Sequence, residues 1–248
     1  MTKLNGNGVS QGIAIGKIFL YHTSVYEMEE EKVGADETGI EVDKYTLAKK
    51  KAMLELQSII DKMNDAGDKD KAGIFVAHQE FLKDESIDEE IQQLIDKNWM
   101  SAGYAIFTVY NQYIDMFRKN SDSLFQERAA DLDDVKVRLL RCLEGKEEVN
   151  LSNLSASVIV AAKALFPSNT ATIDREHVLA LLTEADGITS HTAIIAKSYG
   201  IPAILGIKNV MELVYDGQEV IVDAVNGILI TEPSSEEIRS YTKMRGEC

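Results

Sequence analysis

The period of the hydrophobic pattern changes twice along this chain, and that change limits the folds that it can adopt. From about residue 38 to residue 145 the apolar residues recur at steps of three and four, whereas the segments before and after alternate as strands do. A helical bundle placed between strand-forming segments is therefore expected. The apolar positions of its first and longest helix are Tyr45, Ala48, Ala52, Leu56, Ile59 and Met63.

Four shorter helices should follow the long one. The capping box Ser86-Ile87-Asp88-Glu89 predicts the start of the third helix of the bundle. A stop near Gly145 is typical of the end of the last one. The apolar stripes of these four helices run over residues 74–81, 87–95, 102–117 and 132–143.

The flanking segments predict an α/β unit. Residues 9–21 have the composition of a strand broken at Gly12 and Gly16, and we expect this strand to join the later sheet. The bundle would then be an insertion, and Ser234–Met244 should form a helix leading out. The later strands are predicted at Ser157–Ala162, Val178–Thr183, Ala203–Ile207, Glu219–Val225 and Gly227–Thr231, the last two joined by a hairpin turn at Asn226-Gly227.

Composition narrows the classes of function. A formal charge of −15 argues against a nucleic-acid partner, because phosphate backbones favour stripes of lysine and arginine. It suits a basic protein partner, or it simply keeps the protein dispersed. We find no apolar run long enough to span a membrane, no secretory signal at residues 1–6, and only two thiols, Cys142 and Cys248, so a cytoplasmic location is expected.

One histidine stands out by its position. His191 lies where a short helix should begin, after the capping hydroxyls Thr189 and Ser190 and before a stop at Gly200 and Pro202. A helix N-terminus favours a neutral imidazole and a nearby anion, which suits a phosphohistidine. A first-turn histidine that is merely buried and hydrogen-bonded fits the same spacing.

Residues 187–204, Gly-Ile-Thr-Ser-His-Thr-Ala-Ile-Ile-Ala-Lys-Ser-Tyr-Gly-Ile-Pro-Ala-Ile, resemble the phosphohistidine signature shared by enzyme I of the bacterial sugar phosphotransferase system, pyruvate phosphate dikinase and phosphoenolpyruvate synthase. Residues 8–17 and the Glu-Arg-Ala-Ala-Asp stretch at 127–131 are similar to enzyme I in particular, as are Ile74-Phe75 with His78 and residues 165–168. The resemblance spans nearly the whole chain in the same order.

The resemblance implies an α/β plus all-α fold, in which a swivelling phosphohistidine α/β domain carries an inserted helical subdomain that binds the small phosphocarrier protein HPr. The implied division is residues 1–33 with 148–233 for the first, 34–147 for the second, and 234–248 for a linker helix. The implied activity is a phosphotransferase (kinase) reaction of sugar transport. His191 would accept a phosphoryl group, originally from phosphoenolpyruvate, and pass it to the histidine of HPr.

The site residues are carried over by position. His191 matches the phosphorylated histidine, and Thr170 matches the threonine that orients it. The helical-subdomain residues near the HPr site or facing the active histidine are matched by Lys71, His78, Arg128 and Asp131. No cofactor is implied for this chain. Magnesium, phosphoenolpyruvate binding and the homodimer belong to a carboxy-terminal domain that would be a further partner, so the chain alone should be a monomer and should not bind a membrane.

Three positions depart from the family pattern. Asp186 replaces a usual glycine before the active loop, Ala164 replaces a frequent aspartate, and Lys197 replaces an arginine with loss of its bidentate fork. These departures keep open the interpretation that the chain is a regulatory relative, which binds HPr without efficient phosphoryl transfer. A helical scaffold on an unrelated α/β domain and a phosphohistidine domain of the dikinase type also stay open.

Overall fold

The computed structural model describes residues 2–22, 26–147, 151–152, 154–185 and 191–245, apart from the side chains of residues 123, 127 and 191. The chain divides into two compact units. One unit combines residues 1–23 with 149–248, and the other comprises residues 24–148.

The inserted unit is a bundle of helices, as predicted. Its helices are α1 (Thr38–Asp65), α2 (Lys69–Lys83), α3 (Glu85–Asn98), α4 (Ala102–Arg118) and α5 (Ser123–Leu143). The predicted capping box at Ser86 is wrong: Asp84 caps α3, because its carboxylate accepts the backbone N–H groups of Ser86 and Ile87 at 2.9 and 3.3 Å. Helix α5 begins nine positions before Leu132, since polar residues dominate its first turns and hide the helical period.

The apolar stripes of these helices face one another and form the bundle core. Ala52 and Leu56 of α1, Phe75 of α2, and Leu132 and Leu139 of α5 have no exposed surface. Because each stripe recurs every three to four residues, it lies on one side of its helix and is buried against the neighbouring helices. Burial of apolar surface is the main source of the stability of such a bundle.

The segment before α1 belongs to the bundle as well. Val33 donates its backbone N–H to the Trp99 carbonyl at 2.8 Å, and the Glu31 carbonyl accepts from Ser101 at 2.9 Å. The Tyr26 hydroxyl donates to Glu144 at 2.7 Å. These three residues thus hydrogen-bond with residues at the ends of α3, α4 and α5. The structure therefore divides the chain earlier than the sequence-based boundary at residues 33 and 34.

The other unit is built on one eight-stranded mixed sheet, ordered β1-β8-β7-β3-β4-β5-β6-β2. The strands are β1 (Thr2–Asn5), β2 (Asn7–Ser10), β3 (Ile13–Tyr21), β4 (Val158–Ala162), β5 (Val178–Thr183), β6 (Ala203–Leu205), β7 (Glu219–Asp223) and β8 (Ile228–Thr231). The helices are α6 (Pro167–Ala171), α7 (His191–Tyr199), α8 (Val210–Leu213) and α9 (Ser235–Arg245).

Strand β3 explains how the bundle can be an insertion. It pairs in parallel with β4, with Tyr21 opposite Ala162, although the whole bundle separates the two strands in the chain. Gly12, at φ +140°, ends the preceding strand as predicted, but Gly16 lies inside β3 and does not break it. The α/β fold with an inserted helical bundle is therefore confirmed.

The predicted hairpin at Asn226-Gly227 is longer than expected. The register pairs Asp223 with Ile228, which leaves residues 224–227 as the turn and shortens both predicted strands. The Asp223 carboxylate accepts from the side chain of Asn226 at 2.8 Å and from its backbone N–H at 3.1 Å. These hydrogen bonds to the Asp223 side chain compete with backbone hydrogen bonds between β7 and β8, and they set the length of the turn.

Apolar layers cover both faces of the sheet. Successive residues of β4 illustrate the alternation, since Val160 faces one layer and Ile159 and Ala161 face the other. Leu165, before α6, and Ala193 and Ala196 of α7 belong to the same layer as Val160. Helix α7, whose first residue is His191, thus packs on the sheet together with the segment that leads into α6.

Candidate active site

Helix α7 places His191 where the sequence predicts it, in the first turn. The helix begins at His191 and stops at Gly200, whose φ of +66° is the left-handed conformation that commonly ends helices. Ala193 and Ala196 have no exposed surface, so the face of α7 that carries them is packed on the sheet. The side chain of His191, the predicted caps Thr189 and Ser190, and Asp186 lie outside the described residues.

Helix α6 carries the threonine assigned to orient the histidine. Thr170 is fully buried, and its hydroxyl donates to the carbonyl of Pro167 at 3.0 Å. A hydroxyl has one hydrogen and two lone pairs. Because its hydrogen is directed at a carbonyl of its own turn, Thr170 is left as a hydrogen-bond acceptor for any ring N–H that approaches it.

Helices α6 and α7 are neighbours in the structure. Thr192, directly after His191, is buried, and its hydroxyl lies 3.5 Å from the carbonyl oxygen of Leu165, just before α6. Several Cα atoms of the two helices also lie within 8 Å of each other. The backbone therefore brings the elements that carry Thr170 and His191 together, although they lie in different parts of the sequence.

The positions that depart from the family pattern differ in their surroundings. Ala164 is half-buried in the segment that leads into α6, and Lys197 is exposed on α7. An alanine at position 164 removes a carboxylate from the approach to α6. Lys197 keeps its positive charge in solvent.

In the helical unit, three of the four predicted partner-binding residues form one cluster. The Asp131 carboxylate lies 3.5 Å from Nε2 of His78 and 3.2 Å from the guanidinium of Arg128. The His78 side chain is fully buried, with its ring edge-on to Phe75 at 6.0 Å between centroids. In the described part of the chain its Nδ1 atom has no hydrogen-bond partner.

Lys71 is the fourth predicted partner-binding residue. It lies on α2 two turns before His78, and its ammonium pairs with Asp68 at 2.5 Å. Residues seven apart on a helix share a face, so Lys71 lies on the same side of α2 as the histidine. Its role stays a prediction.

A groove that the sequence reasoning missed lies between α2, α4 and α5. Its volume is about 410 Å³. Its walls are mainly apolar, and the rings of Phe117 and Phe125 pack against each other at 5.3 Å. The lining residues are Ala77, Glu80, Phe81, Phe117, Leu124, Phe125 and Arg128.

The sequence signal for this groove was Leu124-Phe125, an apolar pair in a polar stretch just before the Glu-Arg-Ala-Ala-Asp motif. Leu124 is 58 % exposed and Phe125 40 % exposed. Large apolar side chains clustered at the surface beside a charged rim are typical of protein–protein contact sites. Arg128 is shared by the groove and by the His78–Asp131 cluster.

Neither a metal site nor a membrane-spanning helix is found in the described part of the chain. Among residues 2–22, 26–147, 151–152, 154–185 and 191–245, no group of histidine, cysteine, aspartate and glutamate side chains is arranged to hold a metal ion. None of the helices in those ranges has the length and hydropathy needed to cross a membrane.

Comparison with known families gives two consecutive matches. The family described as PEP-utilising enzyme, N-terminal, matches residues 5–128, which is half of the chain. The family described as PEP-utilising enzyme, mobile domain, matches residues 154–227. The two matches together take in α6, α7 and all the predicted site residues except Asp131, which lies just beyond the first match.

Curated relatives carry the name phosphoenolpyruvate-protein phosphotransferase. The protein of Priestia megaterium is 37 % identical over 248 residues, and that of Mycoplasma capricolum is 34 % identical over 239 residues. The alignments cover 100 % and 96 % of this chain but only 43 % and 41 % of the relatives. The chain thus spans about two fifths of their length.

Solved structures of enzyme I domains are also similar to this chain. The NMR solution structure of Enzyme I (nEIt) superimposes with a TM-score of 0.85 at 36 % identity, covering 98 % of both chains. The N-terminal domain of Enzyme 1 – Nitrogen, at 21 % identity and a TM-score of 0.61, shares the fold. The chain belongs to the PEP-utilising enzymes and corresponds to the amino-terminal domain of enzyme I, the phosphoenolpyruvate-protein phosphotransferase.

Proposed function

We propose that His191 is the phosphoryl carrier of this chain and exchanges its phosphoryl group with the histidine of HPr. The observation that supports this most directly is that α7, which begins at His191, lies beside α6. Helix α6 carries the buried Thr170, whose hydroxyl donates its hydrogen to the carbonyl of Pro167. Through a further domain of the full enzyme, phosphoenolpyruvate would be the original donor. The proposed process is sugar uptake, and the proposed location of the protein is the cytoplasm.

The chemistry follows from the state of the imidazole. A ring N–H donated to the Thr170 oxygen would keep the proton on one nitrogen, so the other nitrogen retains its lone pair and can attack phosphorus. In the forward loading step an N–P bond to His191 forms while the donor's bond to phosphorus breaks in line. The amide N–H groups of the first turn of α7 and the helix dipole stabilise the added negative charge.

The helical unit is the proposed docking site for HPr. Residues 24–148 contain 29 acidic and 17 basic side chains, so this unit carries most of the negative charge of the protein. A basic partner surface would be steered toward it, and the groove offers an apolar centre for the contact. Arg128, at the rim of the groove, would pair with a carboxylate or the phosphoryl group.

The pair formed by the buried His78 and the partly buried Asp131 would support this surface from beneath. Asp131 holds Arg128 by an ion pair, and His78 lies on the inner side of the same carboxylate. Lys71 is proposed as a further cation for the phosphoryl group. The swivelling of the α/β unit and a linker role for residues 234–248 are part of the same proposal.

Phosphoryl transfer from labelled phospho-HPr tests the assignment. We expect the wild-type chain to acquire a heat- and acid-labile phosphate, and His191→Ala to acquire none. His22→Ala, which changes an exposed histidine of the same unit, is the matched control and should label as the wild type does. Label that persists in His191→Ala would disprove the proposed carrier.

The departures at Asp186 and Ala164 favour a second candidate function, that of an impaired relative that binds HPr without efficient transfer. A carboxylate near a phosphoryl dianion is repulsive. In that case the wild-type chain would bind HPr with little labelling, and Asp186→Gly would increase the labelling rate. Equal rates for wild type and Asp186→Gly would remove this candidate.

A further inference from the structure

A hydrogen bond between Tyr21 and Asn169 connects the central strand to the helix that carries Thr170. The Asn169 side-chain amide donates to the Tyr21 hydroxyl oxygen at 2.9 Å. Tyr21 is 4 % exposed and Asn169 is 7 % exposed, so water competes little for this contact. The two residues are 148 positions apart in the chain.

Helix α6 depends on such contacts for its orientation. It has five residues, and a single helical turn gains too few backbone hydrogen bonds to be stable alone. Asn169 is bonded on both sides of its amide: its oxygen accepts the backbone N–H of Phe166 at 2.9 Å, while its nitrogen donates to Tyr21. The Asn169 side chain thus caps the start of α6 and also fixes this helix to β3.

Tyr21 is the last residue of β3, and its register partner Ala162 is the last residue of β4, from which the chain continues toward α6. Its ring also belongs to the apolar layer that contains Leu165, Ala193 and Ala196. The aromatic ring packs in this layer, and the hydroxyl orients α6 through its hydrogen bond with Asn169. Removal of the hydroxyl alone would therefore preserve most of the packing while freeing α6 to shift.

We infer that Tyr21 is a positioning residue for phosphoryl transfer, acting through Asn169 on the orientation of Thr170 and so on the imidazole of His191. The inference rests on the proposed function, because it assumes that Thr170 receives a ring N–H of His191. Thr170 follows Asn169 directly, so a shift of α6 moves the Thr170 oxygen relative to the first turn of α7. Displacements near 1 Å are enough to slow a positioned reaction strongly.

The test compares Tyr21→Phe with Tyr241→Phe, which removes a hydroxyl near the Asp223 carboxylate in the same unit. Single-turnover labelling by phospho-HPr gives kcat, here the rate constant of transfer at saturating phospho-HPr, and KM, the half-saturating concentration. Long-range ¹H–¹⁵N correlation spectra of the imidazole give the tautomer of His191. We expect Tyr21→Phe to lower kcat about tenfold with unchanged KM and to change the tautomer populations. Tyr241→Phe should match the wild type in all three measurements.

A double-mutant cycle separates positioning from general stability. If Tyr21 acts through Asn169, Tyr21→Phe has no further effect on kcat or tautomer in an Asn169→Ala background. Two results would overturn the inference: equal behaviour of Tyr21→Phe and Tyr241→Phe, or additive effects in the cycle. Neither result affects the proposed function as long as the wild-type chain is labelled. A wild-type chain that fails to label refutes the proposed function, and the inference with it.

Discussion

The two units use buried polar side chains in opposite ways. In the described part of the helical unit the buried polar residues include full charges, namely Glu41, Asp134, Lys136, Arg138 and Arg141. In the described part of the α/β unit they are mostly neutral hydroxyls and amides, including Ser168, Asn169, Thr170, Thr183 and Thr192.

The difference suits the two proposed roles. Ion pairs hold the helices together, and the surplus of acidic residues in that unit supplies a field for a charged partner. Neutral hydroxyls around α6 and α7 can orient an imidazole without neutralising a phosphoryl group. The charge balance agrees, with 29 acidic against 17 basic residues in the helical unit and 12 against 9 in the other.

The largest effect should come from breaking the ion-pair cluster that joins α1 to α5. Glu55 accepts from Arg138 at 3.0 Å and forms a close ion pair with Arg141, and both arginine side chains are less than a tenth exposed. Glu55→Gln should lower the free energy of unfolding by about 3 kcal/mol at pH 7, because two buried cations lose the negative charge of Glu55. Chemical denaturation measures the loss.

This effect has a defined pH dependence. Partial burial opposes ionisation of Glu55, but the hydrogen bonds and charges of Arg141 and Arg138 outweigh it and hold the pKa of its carboxyl below the usual value. A carboxylate with a lowered pKa stabilises the fold above its unfolded pKa and loses that contribution as the pH falls through its folded pKa. The stability gap between wild type and Glu55→Gln should therefore narrow below about pH 4.

Glu80→Gln is the control for this cluster, since Glu80 and its partner Lys83 are both more than half exposed. It should change the stability by less than about 0.5 kcal/mol. A similar loss for the two variants would show that the buried cluster is not what distinguishes the helical unit.

The second effect concerns the neutral hydroxyls of the α/β unit. Thr170→Val keeps the shape but removes the acceptor proposed for His191, and we expect labelling by phospho-HPr to slow about thirtyfold. Thr172→Val is the matched control, because the Thr172 hydroxyl also donates within this turn, to the Ser168 carbonyl at 2.9 Å. Equal rates for the two variants would contradict the assignment of Thr170.

The third effect tests the surface of the helical unit. Arg128→Met should weaken HPr binding about tenfold and reduce its dependence on salt, because a charged contact at the rim is lost. Arg118→Met removes another exposed arginine, paired with Asp133 at 3.6 Å, that does not line the groove. Titration calorimetry at two salt concentrations compares them, and equal losses would refute the groove as the docking site.

The smallest effect separates an acidic cap from acidic docking residues. Asp84→Ala removes the cap of α3 and should cost about 1 kcal/mol of stability, with HPr affinity unchanged. Asp84→Asn, which can still accept the two backbone N–H groups, should recover most of the loss. Weaker HPr binding by both variants would assign Asp84 to the partner surface instead.

Sequence reasoning succeeded where a regular period extended over many residues. The stripe from Tyr45 to Met63 predicted α1, and the bounds of β5 at Val178–Thr183 were predicted to the residue. It failed at element ends, where a single side chain decides: Asp84 moved the start of α3, and Asp223 lengthened the turn before β8. Strand β1 and the groove beside Phe125 escaped prediction because each depends on partners distant in the chain.

By itself, the sequence determined the type of each long element, the insertion of the bundle into the α/β unit, and the resemblance that pointed to His191. These follow from local periodicity and from short motifs, which a chain carries in its order of residues. The tertiary structure alone decided that Asn169 meets Tyr21, that Asp131 lies between His78 and Arg128, and that α6 packs beside α7. Such contacts join residues far apart in the chain, and only the packing of the sheet and the helices determines which distant side chains become neighbours.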